Sequence, residues 1–172
     1  MRLLLATTNP KKAKEIRAIL GAAGFQVEPW PGAVPEVVED GATFAANAAK
    51  KALAFSRLTE EVVLADDSGL EVDALGGRPG VFSHRYAGEP PDDGRNNEKL
   101  LKELSGVPPE KRTARFKCAL AMVEKGKILL EVEGSCEGLI AEAPRGTNDF
   151  GYDPVFFYPP LGKTFAELEP EE

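Results

Sequence analysis

A single histidine, His84, and two cysteines, Cys118 and Cys136, leave this sequence few of the side chains that soft metals and nucleophilic triads need. No zinc-ligand spacing is present, and neither is a P-loop or a GxGxxG segment. A Ser-His-Asp triad would have to use His84, and no nucleophile elbow supports one. His84 itself reads as an exposed histidine or one lying behind a site. The cysteines lack a close pairing motif and read as reduced thiols, which places the chain in the cytoplasm. The opening MRLLLATTNP holds too short an apolar run for a signal peptide or a membrane span, so no membrane partner is expected. Positive charge is also in deficit. A net charge of −7 argues against a nucleic-acid backbone as partner, because that needs a basic surface. A small phosphorylated ligand needs only a few local cations and stays open. What is present is ordinary for a globular protein: 42% hydrophobic and 28% charged residues over 172 positions, enough for one domain with an apolar core. No repeat, linker or low-complexity stretch divides residues 1–172.

Leu3 to Ala6 reads as a short buried strand, and Lys11 to Leu20 as a helix with Ala13, Ile16, Ile19 and Leu20 on one side, closed by Gly21 and Gly24. Phe25 to Glu28 reads as a second strand, and Pro29 to Gly41 as a loop. Thr43 to Arg57 is alanine-rich and helical, with Thr43 as N-cap, and Val62 to Ala65 is a third short strand. After a loop-like stretch from Asp73 to Gly94, a helix is expected around Asn97 to Leu104. Phe116, Cys118, Leu120 and Met122 alternate as the core face of a strand. Lys125-Gly126-Lys127 turns that strand back into Ile128 to Glu133, where Ile128, Leu130 and Val132 alternate, giving an antiparallel hairpin. Val155 to Phe157 is the last strand. Strand–helix alternation followed by a hairpin predicts an α/β protein with a mixed central sheet flanked by helices, opened into two lobes around a cleft.

Four polar segments sit at the ends of these elements, where ligands of open α/β sheets lie. Thr7-Thr8-Asn9-Pro10-Lys11-Lys12 offers hydroxyls, an amide, helix-start N–H groups and lysine charge to an anion; it reads equally as a capped turn with solvated lysines. Glu39-Asp40-Gly41-Ala42-Thr43-Phe44 puts two acids before a helix, where they also simply complement its dipole. Leu64-Ala65-Asp66-Asp67-Ser68-Gly69-Leu70 is the sharpest signal. Two acids directly after an apolar run place carboxylates at a strand's end, suited to Mg2+ or to taking a proton from an attacking water, the alternative being an Asx turn. Phe150-Gly151-Tyr152-Asp153-Pro154 offers aromatics and an acid that could stack on a base and read its edge, or else a turn with core aromatics.

In this order the stretches TTNPKK, EDGATFAANAAKKA, LADDSGLEVDALGGRPGVFSHRYAG, NNEKLL, RTARFKCALA and FGYDPVFF resemble the inosine/xanthosine triphosphate pyrophosphatase family, from Leu3 to about Glu167. The resemblance implies a nucleotide-binding cleft between two lobes, a homodimer, and Mg2+-dependent hydrolysis of ITP, dITP and XTP between the α and β phosphates, which cleanses the nucleotide pool. By similarity Thr7, Asn9 and Lys12 hold the phosphates, Thr8 and Ser68 also bind the substrate, and Lys12 and Asp67 serve catalysis. Glu39 and Asp67 hold the metal, with Asp67 as its ligand or as general base. Phe150, Gly151, Tyr152 and Asp153 lie at the base, and Arg85 and Lys51 match family positions.

Two departures stand out. The family's TFxENA carries Glu where this chain has Ala46, which removes one acid from the expected metal site. The family also ends in a KNxxSHR segment that reaches the nucleotide, and this sequence ends at Glu172 without it. Thr164 to Leu168 reads as the opening of a further segment, so the expectation is that the native protein continues and that the 172-residue form holds an incomplete nucleotide site. Two other readings stay open: a related nucleotide pyrophosphatase with another base preference, and a nucleotide-binding protein with impaired catalysis.

Overall fold

The computed structural model describes residues 1–172. Arg2–Leu5 forms β1, three of whose four residues are buried. Helix α1 follows over Pro10–Ala22, with Pro10 in its first turn and the Asn9 side chain accepting from the Lys11 and Lys12 N–H groups. β2 (Gln26–Pro29) pairs in parallel with β1. After the expected loop comes α2 (Phe44–Ser56), capped by Thr43, whose hydroxyl oxygen accepts from the Ala46 N–H. β3 (Val63–Val72) runs parallel to β1. α3 (Asp93–Glu103) precedes the long strands β4 (Thr113–Glu124) and β5 (Lys127–Ile140). Two short strands close the sheet: β6 (Phe156–Tyr158), antiparallel to β5, and β7 (Lys163–Thr164), antiparallel to β6. The seven strands pair in the order β2-β1-β3-β4-β5-β6-β7, a mixed sheet of an α/β fold. No helix is long and apolar enough to cross a membrane.

The chain divides into two compact units. Unit 1 holds Met1–Ser68 and Cys118–Gly134, and unit 2 holds Gly69–Lys117 and Ser135–Glu172. The core of unit 1 is Leu3, Leu5, Val27, Val62 and Leu64, packed by Ala13, Ile16 and Leu20 of α1 and by Leu120 and Met122 of β4. α2 buries Phe44, Ala48, Ala52 and Phe55, and Phe55 meets the Trp30 ring edge-on. Unit 2 is built on Leu70, Val72, Leu100, Leu104, Ile140, Tyr152, Val155 and Phe156, with a cluster of Phe116, Phe156 and Phe165 rings within 6 Å of one another.

Several expectations are corrected. Ile19 is 70% exposed, because at 100° per residue it falls off the stripe formed by Ala13, Ile16 and Leu20. Gly21 lies inside α1, which runs on to Ala22 before the chain turns at Ala23 and Gly24. α3 starts earlier than expected, because Asp92 rather than a residue near Asn97 caps it. In β4 the fully buried residues are Ala114, Ala119, Ala121 and Val123; Phe116, Leu120 and Met122 are only half-buried and Cys118 is exposed. The small side chains pack closest and so lose the most water. Ile128, Leu130 and Val132 of β5 are exposed rather than inward, because β6 joins β5 only further along, at Leu139 and Ile140. Val155 to Phe157 is not the last strand, since β7 follows. Thr164 to Leu168 forms one 3-10 turn inside a capping box of Thr164 and Glu167, and it sends Phe165 into the aromatic cluster.

The largest correction concerns the acidic pair. β3 does not stop at Ala65. It stays extended through Asp66, Asp67, Ser68 and Gly69 to Val72, and Leu70 and Val72 are as buried as Val63 and Leu64. The carboxylates therefore stand within a strand, neither at its end nor in an Asx turn.

Gly146 marks the tightest approach in unit 2. Its φ is +95°, and a Cβ there would stand 2.3 Å from the Ala166 carbonyl group. The N–H groups of Thr147 and Asn148 donate to that same carbonyl oxygen. Gly146→Ala combines left-handed strain with a backbone clash and is expected to destabilise the protein by about 3 kcal/mol, read from chemical denaturation. A midpoint equal to that of the unmodified chain would refute this packing.

Candidate active site

In unit 1 the start of α1 and the middle of β3 meet. Lys12 reaches Asp66, its Nζ standing 2.7 Å from Asp66 Oδ2. Asp66 is almost wholly buried and Lys12 about a quarter exposed. Burial pulls the Lys12 ammonium down, but attraction to Asp66 and the hydrogen bond that Lys12 donates to it, helped by Asp67, outweigh it and hold Lys12 above the ordinary lysine value. From α2, Lys51 donates to the Asp66 backbone carbonyl at 2.9 Å and pairs with Glu39 at 2.6 Å. Asn47, one turn earlier on α2, accepts from the Gly41 N–H at 2.7 Å and so ties down the loop that carries Glu39 and Asp40. Asp40 pairs with Lys50.

Asp67 is the half-buried acid of this group. Its Oδ1 accepts from the Ser68 N–H at 3.1 Å. Its Oδ2 is buried without a hydrogen-bond partner, and so is Asp66 Oδ1. Desolvation raises the Asp67 pKa; Asn47 and Lys51 pull it down, Glu39 adds to the rise, and the net direction is upward. Two orphaned carboxylate oxygens on adjacent residues of one strand are costly unless something external fills them.

The TTNPKK segment is a capped turn and an ion-pair donor at once. Thr7 Oγ1 accepts from the Asn9 N–H at 3.1 Å, and Asn9 caps α1. Lys12 is not a solvated lysine, since it is the partner of Asp66. Thr7 and Thr8 line a pocket of about 170 Å3 together with Glu39 and Lys51, and a second depression of about 410 Å3 with Asn9, Lys14 and Arg17. Thr7, Thr8, Asn9, Lys12, Glu39, Asp66, Asp67 and Ser68 thus gather in unit 1. Lys51, read from the sequence only as a matching position, proves central there. The contact of Asn47 with Gly41 escaped sequence reasoning altogether; its one available signal was an asparagine within an alanine-rich helix. Ala46 puts an exposed methyl group on α2, in the place where the family carries an acid.

The FGYDP segment belongs to unit 2. Tyr152 is a core residue, 5% exposed, and its hydroxyl donates to the Ser83 carbonyl at 2.7 Å. Burial raises its pKa strongly. Phe150 is half-buried. Asp153 accepts from the Asn148 amide at 3.2 Å, and its N–H donates to the Phe150 carbonyl. His84 is exposed as expected, and Arg85 lies over the Phe82 ring. A depression of about 620 Å3 in unit 2 is lined by Glu110, Ile140, Glu142, Arg145 and Phe157, and none of the expected residues lies in it. It lacks an orphaned polar group, so the chemistry points to the carboxylate pair instead.

No set of three or more His, Cys, Asp or Glu side chains forms a ready metal cage. Mg2+ does not need one. It is held by one or two carboxylates together with waters and substrate phosphates, and the unpartnered Oδ2 of Asp67, with the Glu39 carboxylate that Lys51 shares, offers hard oxygen donors that fit it.

The Ham1 family matches residues 3–172. The chain is 56% identical to the dITP/XTP pyrophosphatase of Geobacillus kaustophilus over 173 residues, covering 99% of this chain and 84% of that protein. It is 54% identical to the dITP/XTP pyrophosphatase of Desulforamulus reducens, covering 100% and 87%. Among solved structures, a HAM1 protein from Coxiella burnetii superposes with a TM-score of 0.89 at 39% identity, covering 99% of this chain and 88% of that one.

Two outcomes test this geometry. Lys12→Met strands a buried carboxylate and is expected to cost about 3 kcal/mol, most of it recovered by adding Asp66→Asn. Additive losses in that denaturation cycle would mean that the two residues do not pair. Asp67, with its pKa raised by folding, costs stability as pH rises through its folded value and costs nothing below the ordinary carboxylate range. Asp67→Asn, free of divalent metal, should therefore melt above the unmodified chain at about pH 7, with the gain vanishing toward about pH 4. A variant that melts lower at neutral pH contradicts the reading.

Proposed function

The chain belongs to the Ham1 family, and from that premise we propose that it is a hydrolase that cleaves non-standard purine nucleoside triphosphates (ITP, dITP and XTP) to the monophosphate and pyrophosphate, clearing them from the nucleotide pool. One observation carries the reading: adjacent carboxylates on β3 with orphaned oxygens, the Asp66 carboxylate paired with Lys12 and the Asp66 backbone carbonyl held by Lys51. A triphosphate brings several negative charges to a protein of net charge −7, so local cations must offset them.

Lys12 supplies one such cation, assisted by Thr7, Thr8, Asn9 and Ser68 as polar contacts to phosphate oxygens. Asp67 and Glu39 would hold Mg2+, which when bound neutralises charge on the phosphates. Glu39 is tied to Lys51 and must share it. Asp67, whose Oδ1 accepts from the Ser68 N–H and whose Oδ2 has no partner, is the group suited to orient the attacking water or to accept its proton. Phosphoryl chemistry of this kind asks mainly for positioning and charge stabilisation, which fixed lysines and strand-borne carboxylates provide.

Base selection falls to Phe150 and Asp153. Phe150 stacks on the purine and Asp153 reads its polar edge, while Gly151 forms the turn and Tyr152 anchors it in the core. Selective hydrogen bonding rejects a mismatched base, because buried groups are then left unpaired. We also propose that the protein acts as a homodimer. β5 exposes Ile128, Leu129, Leu130 and Val132 within a run of exposed residues from Lys127 to Ser135, an apolar strip of the kind a second copy covers. Its place is the cytoplasm, in keeping with two unpaired cysteines.

The test is product analysis with ITP, XTP, dITP, ATP and GTP, with and without Mg2+. Pyrophosphate from the first three, only with the metal, is expected; release of single phosphate or equal turnover of ATP overturns the reading. In the same assay Asp67→Asn should lower turnover by about a hundredfold or more while KM changes little. Phe150→Ala should weaken all purine substrates together, by about tenfold or more; unchanged KM values would remove stacking from the account.

A further inference from the structure

The NNEKLL stretch has no place in the chemistry so far, yet α3 holds the FGYDP turn by both of its exposed peptide groups. Asp93 Oδ2 accepts from the Gly151 N–H at 3.0 Å, and Asn97 Nδ2 donates to the Gly151 carbonyl at 2.9 Å. Asp93 and Asn97 stand four residues apart, on one helix face. Gly151 has φ +55°, and a Cβ there would meet nothing within 4 Å, so neighbours do not enforce its conformation. A glycine visits both signs of φ with little preference. The two α3 side chains hold this one by its own N–H and carbonyl, in addition to the Asp153 N–H that donates to the Phe150 carbonyl across the turn.

Asn97 is 8% exposed, and its Oδ1 is buried without a hydrogen-bond partner. A side chain kept for stability alone would be satisfied at both ends or replaced by an apolar one. Here the unsatisfied oxygen accompanies the one bond that Asn97 makes to the turn. Next to Gly151, Tyr152 is fixed by Ser83 and Phe150 by the Asn148 side chain, which accepts from the Phe150 N–H.

We propose that Asp93 and Asn97 are positioning residues that set base selectivity by clamping Gly151, and with it the ring of Phe150 and the carboxylate of Asp153. This rests on the base-reading role given to that turn above. Selectivity by edge hydrogen bonds depends on placement, and a loosened turn still stacks on any purine but no longer rejects the wrong edge.

The experiment measures kcat and KM for XTP and GTP in the full chain carrying Asn97→Ala, Asp93→Ala or Asp93→Asn, alongside melting temperature and the Mg2+ activation curve. Asn97→Ala and Asp93→Ala are expected to shrink the XTP-over-GTP ratio of kcat/KM by about tenfold, mainly through KM, with Mg2+ activation unchanged. Asp93→Asn keeps an acceptor for the Gly151 N–H and should retain the ratio. Should Asn97→Ala fold poorly, Asn97→Leu, which removes the donor and the unpaired acceptor at similar volume without adding a charge, gives the same reading. A ratio unchanged in the alanine variants, or both substrates losing turnover equally, overturns the clamp. An unmodified enzyme that prefers another base refutes the proposed substrate instead, and the clamp is then read in the ratio of that base to its competitors.

Discussion

A carboxylate stays ionised inside a β-strand only where a cation stands against it. Asp66 and Asp67 sit in the middle of β3, flanked by residues as dry as any in the protein, and Lys12 and Lys51 are what make that placement tolerable. Most of unit 1 serves this arrangement. Asn9 and Pro10 start α1 so that Lys12 falls one turn later against Asp66. Thr43 starts α2 so that Asn47 and Lys51 lie on successive turns facing the Glu39–Gly41 loop and the Asp66 carbonyl. The balance is incomplete: one oxygen of each acid lacks a partner, and burial leaves Asp67 with a raised pKa. Structure alone gains nothing from that. Under the proposed function, a bound cation would supply the missing partners.

Unit 2 solves a different problem. Its polar turn carries no buried ion pair and relies on hydrogen bonds to backbone. Tyr152 reaches Ser83, Asp93 and Asn97 grip Gly151, and Asn96 accepts from the Ala87 N–H and donates to the His84 carbonyl. Directional hydrogen bonds of this kind fix the turn's geometry without a buried ion pair. The charged contacts of unit 1 suit phosphates, which every nucleotide carries.

Much of this was legible before any coordinates. Local signals with a mechanism read well: the Thr43 cap, the Lys125-Gly126 turn, and the helices α1 and α2 themselves, with Ile19 the one residue off the α1 stripe. The mixed α/β sheet followed from their order. The failures also have physical causes. Two acids and a glycine look like a strand's end, so the sequence predicts β3 to stop seven residues short of Val72; only pairing to neighbours and cations from elsewhere in the chain keep such a segment extended. Alternation in β4 and β5 identified strands but not their faces, since burial depends on what covers each side. Lys51 and Asn97 matter through contacts made at a distance in sequence, from Lys51 to Asp66 and from Asn97 to Gly151. Nothing in their immediate neighbourhood announces such contacts. Tyr152, grouped with Phe150 by adjacency, belongs to the core.

Whether the carboxylate pair is maintained for a cation is measured most directly by calorimetric titration of Mg2+ into protein saturated with a non-hydrolysable XTP analogue. The unmodified chain should bind the ion saturably, and Asp67→Asn should weaken that binding by about tenfold or more while still binding the analogue. Equal Mg2+ affinity in the two proteins would contradict the assignment of Asp67 and return the acidic pair on β3 to a structural role.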